Sequence, residues 1–394
     1  MKSIMLASVM TVLLAIGAAS RAKSTDAPAT LPPAGAGVLI WTPAQQEWGY
    51  KHMELINPSR VIKRGAKVHA LPKAAVGINP RFTADGQSYD TASYMTAFRV
   101  SGVLVIQDGK ILLERYALGR KPRDRWTSFS VAKSVTSTLI GAAIKDGKIK
   151  SLDEPVTTYI PELVGSAYEG VTVRQLITMT SGVKWSENYT DPDSDVAKEG
   201  LTMLEAGVNP VVSYMRRLPR EAPPGSKFSY KTGETDLAGI LLSNAVGESL
   251  SQYLSEKIWK PYGMEQDGVW AEDLAGHERG GCCMSMTLRD YGRIGLFTLD
   301  QGKVDGTEIL PAGWMQDATD AHVTEPAYGY FWWLTAGGYE AKGIFGQSLS
   351  VFPAERLVVV INSAWPAATD KNLSKIRALY IQAIRTAASA LKTH

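Results

Sequence analysis

The sequence has few residues of the kinds that build metal centres or disulfide frameworks. Among 394 residues there are five scattered histidines and two cysteines, Cys282 and Cys283, which are adjacent. Neither type shows the spacing of a zinc site, and no phosphate-binding G-x-x-x-x-G-K-[ST] loop occurs. We therefore expect no metal and no cofactor. The cysteine pair is compatible with two free thiols or with one vicinal disulfide.

The sequence also lacks an excess of charge of one sign. It has 42 Lys and Arg against 39 Asp and Glu, a formal net charge of +3. A nucleic-acid-binding protein would show a basic patch or stripe, so we expect no nucleic-acid partner. With 45% hydrophobic and 21% charged residues, the composition is that of a globular protein. The length fits two structural units, or one large core with an insertion, and leaves the oligomeric state open.

A long apolar run lies at the start of the chain. Residues 1–20 have a single early lysine, an apolar stretch and the small residues Ala18-Ala19-Ser20, which is typical of a signal peptide. The run is too short to span a bilayer and is soon followed by Arg21 and Lys23. We expect a signal peptide over residues 1–20, a periplasmic or secreted protein, and no stable membrane anchor. Residues 21–40, rich in Ala, Pro and Thr, predict a linker.

Local patterns predict a hairpin followed by a buried helix. Gly102–Gln107 and Lys110–Tyr116 are rich in β-formers and are joined by Asp108-Gly109, the pair that a type I′ turn favours. Ser130–Lys145 then carries apolar or small residues at helical spacing, and Gly147 ends the pattern.

The rest of the chain predicts one sheet built from distant segments. Short helical patterns separated by Pro and Gly fill the middle, so we expect an α/β domain over 41–155 and 285–394 and a helical domain over 156–284. Residues 41–84 could cover the site or buttress the sheet. The C-terminal part predicts four strands and a final helix: Tyr328–Leu334, Tyr339–Phe345, Ser348–Phe352, Leu357–Asn362, and 371–391.

Chemistry is first indicated by Ser130 and Lys133. One helical turn separates them, so they lie on one face of the predicted helix. A serine hydroxyl needs a neighbouring base, and a desolvated lysine can serve as one. A nucleophile at a helix N-terminus also lies where backbone N–H groups favour an oxyanion. Taken alone, the spacing is equally compatible with an N-cap serine and a solvated lysine.

The residues around Ser130 resemble the S-x-x-K motif of the serine β-lactamase and penicillin-binding-protein superfamily. The resemblance spans roughly residues 85–390 and is strongest to the class C β-lactamase-related branch, with its 6-aminohexanoate-dimer hydrolases and family VIII carboxylesterases. It implies an α+β, β-lactamase/transpeptidase-like fold, in which an antiparallel sheet is flanked by helices and carries an inserted all-helical domain. The matching segments, in order, are Thr127–Ser134, Leu152–Val156, Val173–Gly182, Phe228–Thr232, Gly280–Cys283 and Thr287–Tyr291.

The resemblance implies three catalytic residues. Ser130 would be the acylated nucleophile, Lys133 the base, and Tyr230 a phenolate or hydrogen-bond relay. We expect nearby cations to lower the pKa of Tyr230. Thr232 stands where class C enzymes have an asparagine and is predicted to contact the substrate. Tyr189 lies in a run similar to the loop that closes over the substrate amide in 6-aminohexanoate oligomer hydrolases, and is also predicted to bind substrate.

The third motif of the superfamily, K-T-G, corresponds to Ile344-Phe345-Gly346. Phe345 and Gly346 are predicted to bind substrate, and the N–H of Gln347 to complete an oxyanion hole with that of Ser130. The first place of the motif holds no cation. We therefore expect a neutral or weakly charged acyl substrate and poor turnover of β-lactams.

These observations together predict an exported serine hydrolase. It would cleave amide or ester bonds of small acyl substrates through a Ser130 acyl-enzyme, as a 6-aminohexanoate-dimer hydrolase does. The alternatives are a β-lactamase or DD-peptidase acting on peptidoglycan-like substrates, and a penicillin-recognising module that binds without turnover.

Overall fold

The computed structural model describes residues 30–200 and 205–392. The predicted signal peptide lies outside these residues. The strands are β1 Ser59–Ile62, β2 Phe82–Ala84, β3 Gln87–Tyr89, β4 Val100–Gln107, β5 Lys110–Tyr116, β6 Trp126–Thr127, β7 Gly268–Ala271, β8 Met284–Met286, β9 Lys303–Val304, β10 Thr307–Glu308, β11 Val323–Thr324, β12 Ala327–Tyr328, β13 Trp333–Thr335, β14 Gly338–Gly343, β15 Gln347–Phe352 and β16 Leu357–Ser363.

Helices fill most of the space between these strands. The α-helices are α1 Pro43–Gly49, α2 Met53–Ile56, α3 Thr91–Ala97, α4 Val131–Lys145, α5 Val173–Ile177, α6 Asp195–Lys198, α7 Pro210–Met215, α8 Thr232–Val246, α9 Leu250–Leu254, α10 Lys260–Tyr262, α11 Leu288–Leu299, α12 Trp314–Ala318 and α13 Lys371–Lys392. A π-helical turn, Ser255–Trp259, joins α9 to α10. The 3₁₀ turns are Gly35–Ile40, Val156–Thr158, Pro161–Leu163, Ile344–Gly346 and Pro353–Glu355.

The main sheet is antiparallel and combines distant parts of the chain. Its eight strands lie in the order β11-β12-β13-β14-β15-β16-β4-β5. The early hairpin β4–β5 therefore enters the sheet beside β16, near the C-terminus. This confirms the predicted α+β class with an antiparallel sheet. The helical segment belongs to the same compact unit, Pro32–His394, so its separation as a domain over 156–284 stays a prediction.

The alternation of side chains along β4 separates two apolar clusters. Val103 and Val105 pack on one face with Tyr380 of α13. Leu104 and Ile106 face the opposite cluster, where α11 covers the sheet. Because successive strand residues point to opposite faces, one run of apolar residues supplies both cores.

Both local patterns near Ser130 are confirmed. Asp108 and Gly109 have φ values of 49° and 74°, as a type I′ turn requires. Helix α4 begins after Ser130, and all its residues from Val131 to Ala143 are buried. Gly147, with φ of 70°, follows the helix in the left-handed conformation.

A second, smaller sheet holds the segment before α4 against the segment after β7. It has the order β1-β7-β8-β6. The Ser128 N–H donates to the Met284 carbonyl over 2.7 Å, and the Met284 N–H donates to the Ser128 hydroxyl over 3.1 Å. These bonds place Gly281 and the cysteine pair beside the start of α4.

Two boundaries differ from the sequence pattern. The predicted strand Tyr328–Leu334 is divided into β12 and β13, because the chain turns between Gly329 and Trp332. In this turn the Gly329 N–H donates to the Trp332 carbonyl over 2.9 Å. Phe345, predicted at a strand end, lies in a 3₁₀ turn with φ of 57°. In the segment predicted as a linker, Gly35–Ile40 forms a 3₁₀ turn.

Among the described helices, none combines the length and apolarity needed to cross a membrane.

Candidate active site

Ser130 lies at the N-terminal end of α4, after a residue with an unusual backbone. Phe129 has φ of 44°, a left-handed conformation that costs free energy unless the surroundings enforce it. Its ring is fixed by Tyr50, at a centroid distance of 5.2 Å, and by Phe345, at 5.3 Å. The segment around α1 therefore buttresses the turn that presents Ser130.

Lys133 is buried one turn further along the helix. Its amine donates to the Thr232 hydroxyl over 3.0 Å and to the Gly281 carbonyl over 2.9 Å. Burial lowers the pKa of Lys133 to about 8, although the nearby carboxylates of Glu187 and Asp236 act to raise it. The amine can therefore lose its proton near neutral pH, as a base must.

Gly281, whose carbonyl accepts from Lys133, leaves little room for a side chain. A Cβ on that residue would lie 3.0 Å from the Lys133 Nζ and 3.0 Å from Thr232 atoms. The following residues, Cys282 and Cys283, are joined as a vicinal disulfide. The pair forms part of the wall beside Ser130.

Tyr230 lies two residues before α8 and lines the smaller cavity with Ser130, which acts to lower the pKa of the phenol. Its ring is stacked on Trp333 at 5.5 Å and lies 5.3 Å from the Lys133 Nζ. Burial, and then the charge of Glu187, raise the pKa of Tyr230. The expectation of a lowered pKa is wrong, because burial and the charge of Glu187 disfavour the phenolate more than Ser130 favours it. Tyr230 is a phenol at neutral pH.

Lys231, the residue after Tyr230, is held by other partners. The Lys231 amine donates to the Ser229 carbonyl over 3.2 Å and pairs with Glu234 over 3.4 Å. Both of these charged side chains are fully buried. They form an ion pair behind the Tyr230 segment, which anchors the start of α8.

Glu187 is a site residue that the sequence did not single out. Its carboxylate accepts hydrogen bonds from the Trp185 indole, the Tyr189 hydroxyl, the Thr232 N–H and the Thr232 hydroxyl. It lies two residues before Tyr189, in the run that carried the resemblance. Its role could not be recognised there because its partner Thr232 is 45 residues away.

Two cavities meet at Ser130. One has a volume of about 630 Å³ and the other about 290 Å³. Both are lined by Ser130, Tyr189 and Ile344. The larger is also lined by Thr232. That Tyr189 and Thr232 contact the substrate stays a prediction. Other residues that line the larger cavity include Val38, Leu39, Ala197, Glu199 and Leu274, and the smaller is further lined by Tyr230, Trp333, Lys342 and Arg377.

The larger cavity contains an unpaired carboxylate oxygen. Glu199 is 1% exposed, and its Oε1 has no hydrogen-bond partner among the described residues. The other oxygen accepts from Arg279, which also binds Asp236. Burial raises the pKa of Glu199 to about 8. A ligand group that donates a hydrogen bond would satisfy this carboxylate.

Three predictions for the third motif are corrected by the structure. Phe345 is completely buried against Tyr50 and Phe129, and Gly346 packs so closely that a Cβ would lie 2.4 Å from the Trp365 ring. Gln347 is also buried, and its side chain donates to the Ser363 carbonyl over 2.8 Å. None of the three lines either cavity.

Ile344, three residues before Gln347, lines both cavities together with Ser130. The chain leaves β14 at Gly343. This residue lies so close to the segment before α4 that a Cβ on it would be 2.5 Å from the Ser128 carbonyl oxygen. This contact brings the next residue, Ile344, beside Ser130. The sequence placed the motif three residues too late because no pattern marks where β14 ends.

The first place of the predicted motif is Ile344 and holds no cation, but two cations lie nearby. Lys342 and Arg377 both line the smaller cavity. Lys342 bonds Glu340 over 2.8 Å, while Arg377 is 7% exposed and donates to the Gln347 carbonyl. The cations come from the residues before the motif and from α13, so no single sequence motif contains both.

Within the described part of the chain, no group of three or more His, Cys, Asp or Glu side chains could hold a metal ion. The chemistry of these residues is that of a serine, a buried amine and a phenol.

Comparisons with known proteins agree with this arrangement. Residues 90–382 match the family described as Beta-lactamase. The chain is 28% identical over 365 residues to a 6-aminohexanoate-dimer hydrolase from Paenarthrobacter ureafaciens, which covers 86% of this chain and 91% of the relative.

Solved structures show the same fold. A Bacillus anthracis protein that carries the provisional name 6-aminohexanoate-dimer hydrolase has a TM-score of 0.79 at 23% identity, covering 89% of this chain and 96% of that one. A family VIII carboxylesterase has a TM-score of 0.56 at 15% identity, covering 74% and 95%. The predicted β-lactamase/transpeptidase-like fold is confirmed, and the chain belongs to the beta-lactamase family of serine hydrolases.

Proposed function

We propose that this protein is an exported hydrolase that cleaves amide or ester bonds of small acyl substrates through a Ser130 acyl-enzyme, as its 6-aminohexanoate-dimer hydrolase relative suggests. One observation carries the proposal. Ser130 lies where two cavities meet, in the same cavity wall as Tyr230 and one helical turn from Lys133, whose pKa is lowered to about 8. This is the arrangement of an activated nucleophile.

In the acylation step, the Ser130 Oγ attacks the substrate carbonyl carbon and its proton passes to Lys133. The bond from the carbonyl carbon to the leaving nitrogen or oxygen then breaks. Tyr230 relays a proton from Lys133 to the leaving group, which departs as a neutral amine or alcohol. The acyl group remains as an ester on Ser130.

Deacylation follows the same path in reverse. Water attacks the ester carbonyl and loses its proton through Tyr230 to Lys133, which then returns a proton to the Ser130 Oγ as the carboxylic acid leaves. Each cycle consumes one water and restores the starting protonation state.

The developing negative charge on the carbonyl oxygen needs N–H donors. We assign this role to the backbone N–H groups of Ser130 and Ile344, because Ile344 rather than Gln347 borders both cavities next to Ser130. Such a donor is commonly worth about 3 to 4 kcal/mol of barrier.

The two cavities support a substrate with different ends. In the larger, the unpaired Glu199 oxygen fits a hydrogen-bond donor such as an amine on the acyl chain. In the smaller, Lys342 and Arg377 fit a carboxylate on the leaving group. A linear amide of an ω-amino acid has both groups, and the relative's name describes such a substrate.

Export is part of the proposal and rests on the N-terminal sequence. A signal peptide over residues 1–20 would be removed, leaving a protein that begins at Arg21. Mass spectrometry of the protein recovered from the periplasm or medium tests this. A full-length cytoplasmic protein would contradict it.

The function is tested with wild type and Ser130→Ala on p-nitrophenyl acetate, a linear 6-aminohexanoate dimer and nitrocefin. We expect Ser130→Ala to lose ester and amide hydrolysis and fluorophosphonate labelling. Ser137→Ala, in the same buried helix with its hydroxyl on the Ser134 carbonyl, is the matched control and should keep both.

Three outcomes would reject the proposal. Equal labelling of Ser130→Ala and wild type would remove Ser130 as nucleophile. Nitrocefin turnover above that of the ester and the dimer would favour a β-lactamase, and acylation without turnover of any substrate would favour a penicillin-recognising module.

A further inference from the structure

We propose that Glu187 is a positioning residue that acts through the Thr232 hydroxyl to aim the lone pair of the Lys133 amine at Ser130. The inference rests on the proposed acyl-enzyme chemistry and adds a residue to it. It explains how a mobile amine is held in the one orientation in which it can accept a proton.

The first step is the hydrogen bonding of Glu187 itself. The Oε1 atom accepts from the Tyr189 hydroxyl over 2.6 Å and from the Thr232 hydroxyl. The Oε2 atom accepts from the Thr232 N–H over 2.9 Å and from the Trp185 indole N–H. A carboxylate is the side chain that can accept all four bonds, because it has acceptor sites on both oxygens and no donor.

The second step concerns the single proton of the Thr232 hydroxyl. Because that proton is donated to Glu187, the hydroxyl can meet Lys133 only as an acceptor. The 3.0 Å contact from the Lys133 Nζ to the Thr232 Oγ1 is therefore an amine N–H donated to oxygen. The Gly281 carbonyl, 2.9 Å from the same nitrogen, is also an acceptor only.

The third step follows from the valence of the amine. A neutral lysine nitrogen has two N–H bonds and one lone pair in tetrahedral directions. Thr232 and Gly281 take both N–H bonds, so the lone pair points to the remaining side. We place Ser130 and Tyr230 on that side, since the Tyr230 ring lies 5.3 Å from the Nζ and Tyr230 lines the same cavity as Ser130. Without Glu187, the threonine could donate to the amine and turn its lone pair away.

The charge of Glu187 has a separate, measurable effect. Burial lowers the pKa of the Lys133 amine. Among the charged groups nearby, Glu187 raises this pKa the most. Replacing the carboxylate by an uncharged amide should lower that pKa, so the amine would lose its proton at a lower pH. The groups that face Lys133 are Glu187, Asp236, Glu199, Arg279 and the Tyr230 phenol.

The experiment measures the pH dependence of kcat/KM on p-nitrophenyl acetate for Glu187→Gln, Thr232→Val and Thr232→Ser. For Glu187→Gln we expect kcat/KM to fall about tenfold or more. We also expect the acidic limb of its pH profile to move to lower pH. Thr232→Val should lose a similar factor, while Thr232→Ser, which keeps the hydroxyl, should recover most activity. Glu221→Gln, at an exposed glutamate paired with Lys227, is the control.

The inference fails if the acidic limb of Glu187→Gln stays in place, or if Thr232→Val is as active as Thr232→Ser. If Glu187→Gln does not fold, judged by its circular dichroism and melting temperature, the threonine pair decides the matter. An active Ser130→Ala protein would instead reject the proposed function, so the two failures are distinguishable.

Discussion

At the scale of single residues, the proposed mechanism makes the proton on Lys133 set the pH at which the site can work. Burial lowers the pKa of this amine to about 8, so below that pH the ammonium form predominates and cannot accept the Ser130 proton. We expect kcat/KM on p-nitrophenyl acetate to rise with pH and to level off above about 8. A stopped-flow or spectrophotometric series at constant ionic strength measures this.

Lys133→Arg provides the contrast for that profile. A guanidinium keeps its proton throughout the range and cannot serve as a base, so the variant should be inactive at every pH. Lys148→Arg, at an exposed position after α4, should behave as wild type. A wild-type profile that is flat, or that falls through pH 8, would contradict the role of the amine.

The residues that the sequence located are those whose relation is local or shared with relatives. Ser130 and Lys133 are one helical turn apart, so helical periodicity alone brings them together. Glu187, Ile344 and Lys342 were missed or misplaced. Their positions depend on where β14 ends and on a loop that closes over α8, and neither follows from local pattern.

At the scale of elements, the segment between β7 and β8 forms the wall behind the amine. A methyl group at Gly281 would lie 3.0 Å from the Lys133 Nζ, so Gly281→Ala must displace the amine or the segment. We expect kcat to fall at least about tenfold, since small misplacements of catalytic groups are costly. Gly147→Ala, at a left-handed position with open space, should lose stability but keep kcat. Equal kcat for Gly281→Ala and wild type would show that the segment between β7 and β8 can move without displacing the amine.

Packing of α4 against α12 gives a second test at this scale. A Cβ at Gly141 would lie 2.5 Å from the Trp314 ring. Alanine usually stabilises a helix by about 1 kcal/mol relative to glycine, but overpacking costs about 1 to 3 kcal/mol. We therefore expect Gly141→Ala to lower the free energy of unfolding in urea. Lys145→Ala, at the exposed end of the same helix, should change it by less than about 0.5 kcal/mol, and a stabilised Gly141→Ala protein would contradict the packing.

Elements with strong local signals were predicted correctly. The hairpin β4–β5 follows from Asp108-Gly109, and α4 follows from its apolar spacing. The division between β12 and β13 was not predictable, because the bend includes a hydrogen bond from the Phe331 N–H to the carbonyl of Ile177, far away in the chain. Contacts of this kind leave no mark in the local pattern.

At the scale of the whole molecule, the N-terminal segment completes the substrate cavity. Val38 and Leu39 line the larger cavity and pack on the cluster around Phe129. Loss of this apolar wall should weaken binding of long acyl chains by about 1 kcal/mol, or about fivefold. We expect Leu39→Ala to reduce kcat/KM for p-nitrophenyl hexanoate and not for the acetate. Val76→Ala, at a valine that is 62% exposed, should change neither, and equal losses on both esters would count against the wall.

The overall architecture was predictable because its motifs occur in a fixed order along the chain. The sheet joins β4 and β5 to strands more than 200 residues later, and the strand patterns at the two ends of the sequence already indicated this. What the order of motifs could not show is the shape and charge of the space between them, which depends on side chains from the N-terminal turn, α8 and α13 together.

The junction of two unequal cavities at Ser130 has a consequence for the direction of hydrolysis. If the amino end of a substrate lies at Glu199 and the carboxylate end near Arg377, the chain can enter in one orientation only. The unit held in the larger cavity is then the one retained as an ester, while the remainder of the chain leaves from the other side. On an oligomer longer than a dimer, such an enzyme would act from the amino end and release one unit per cycle.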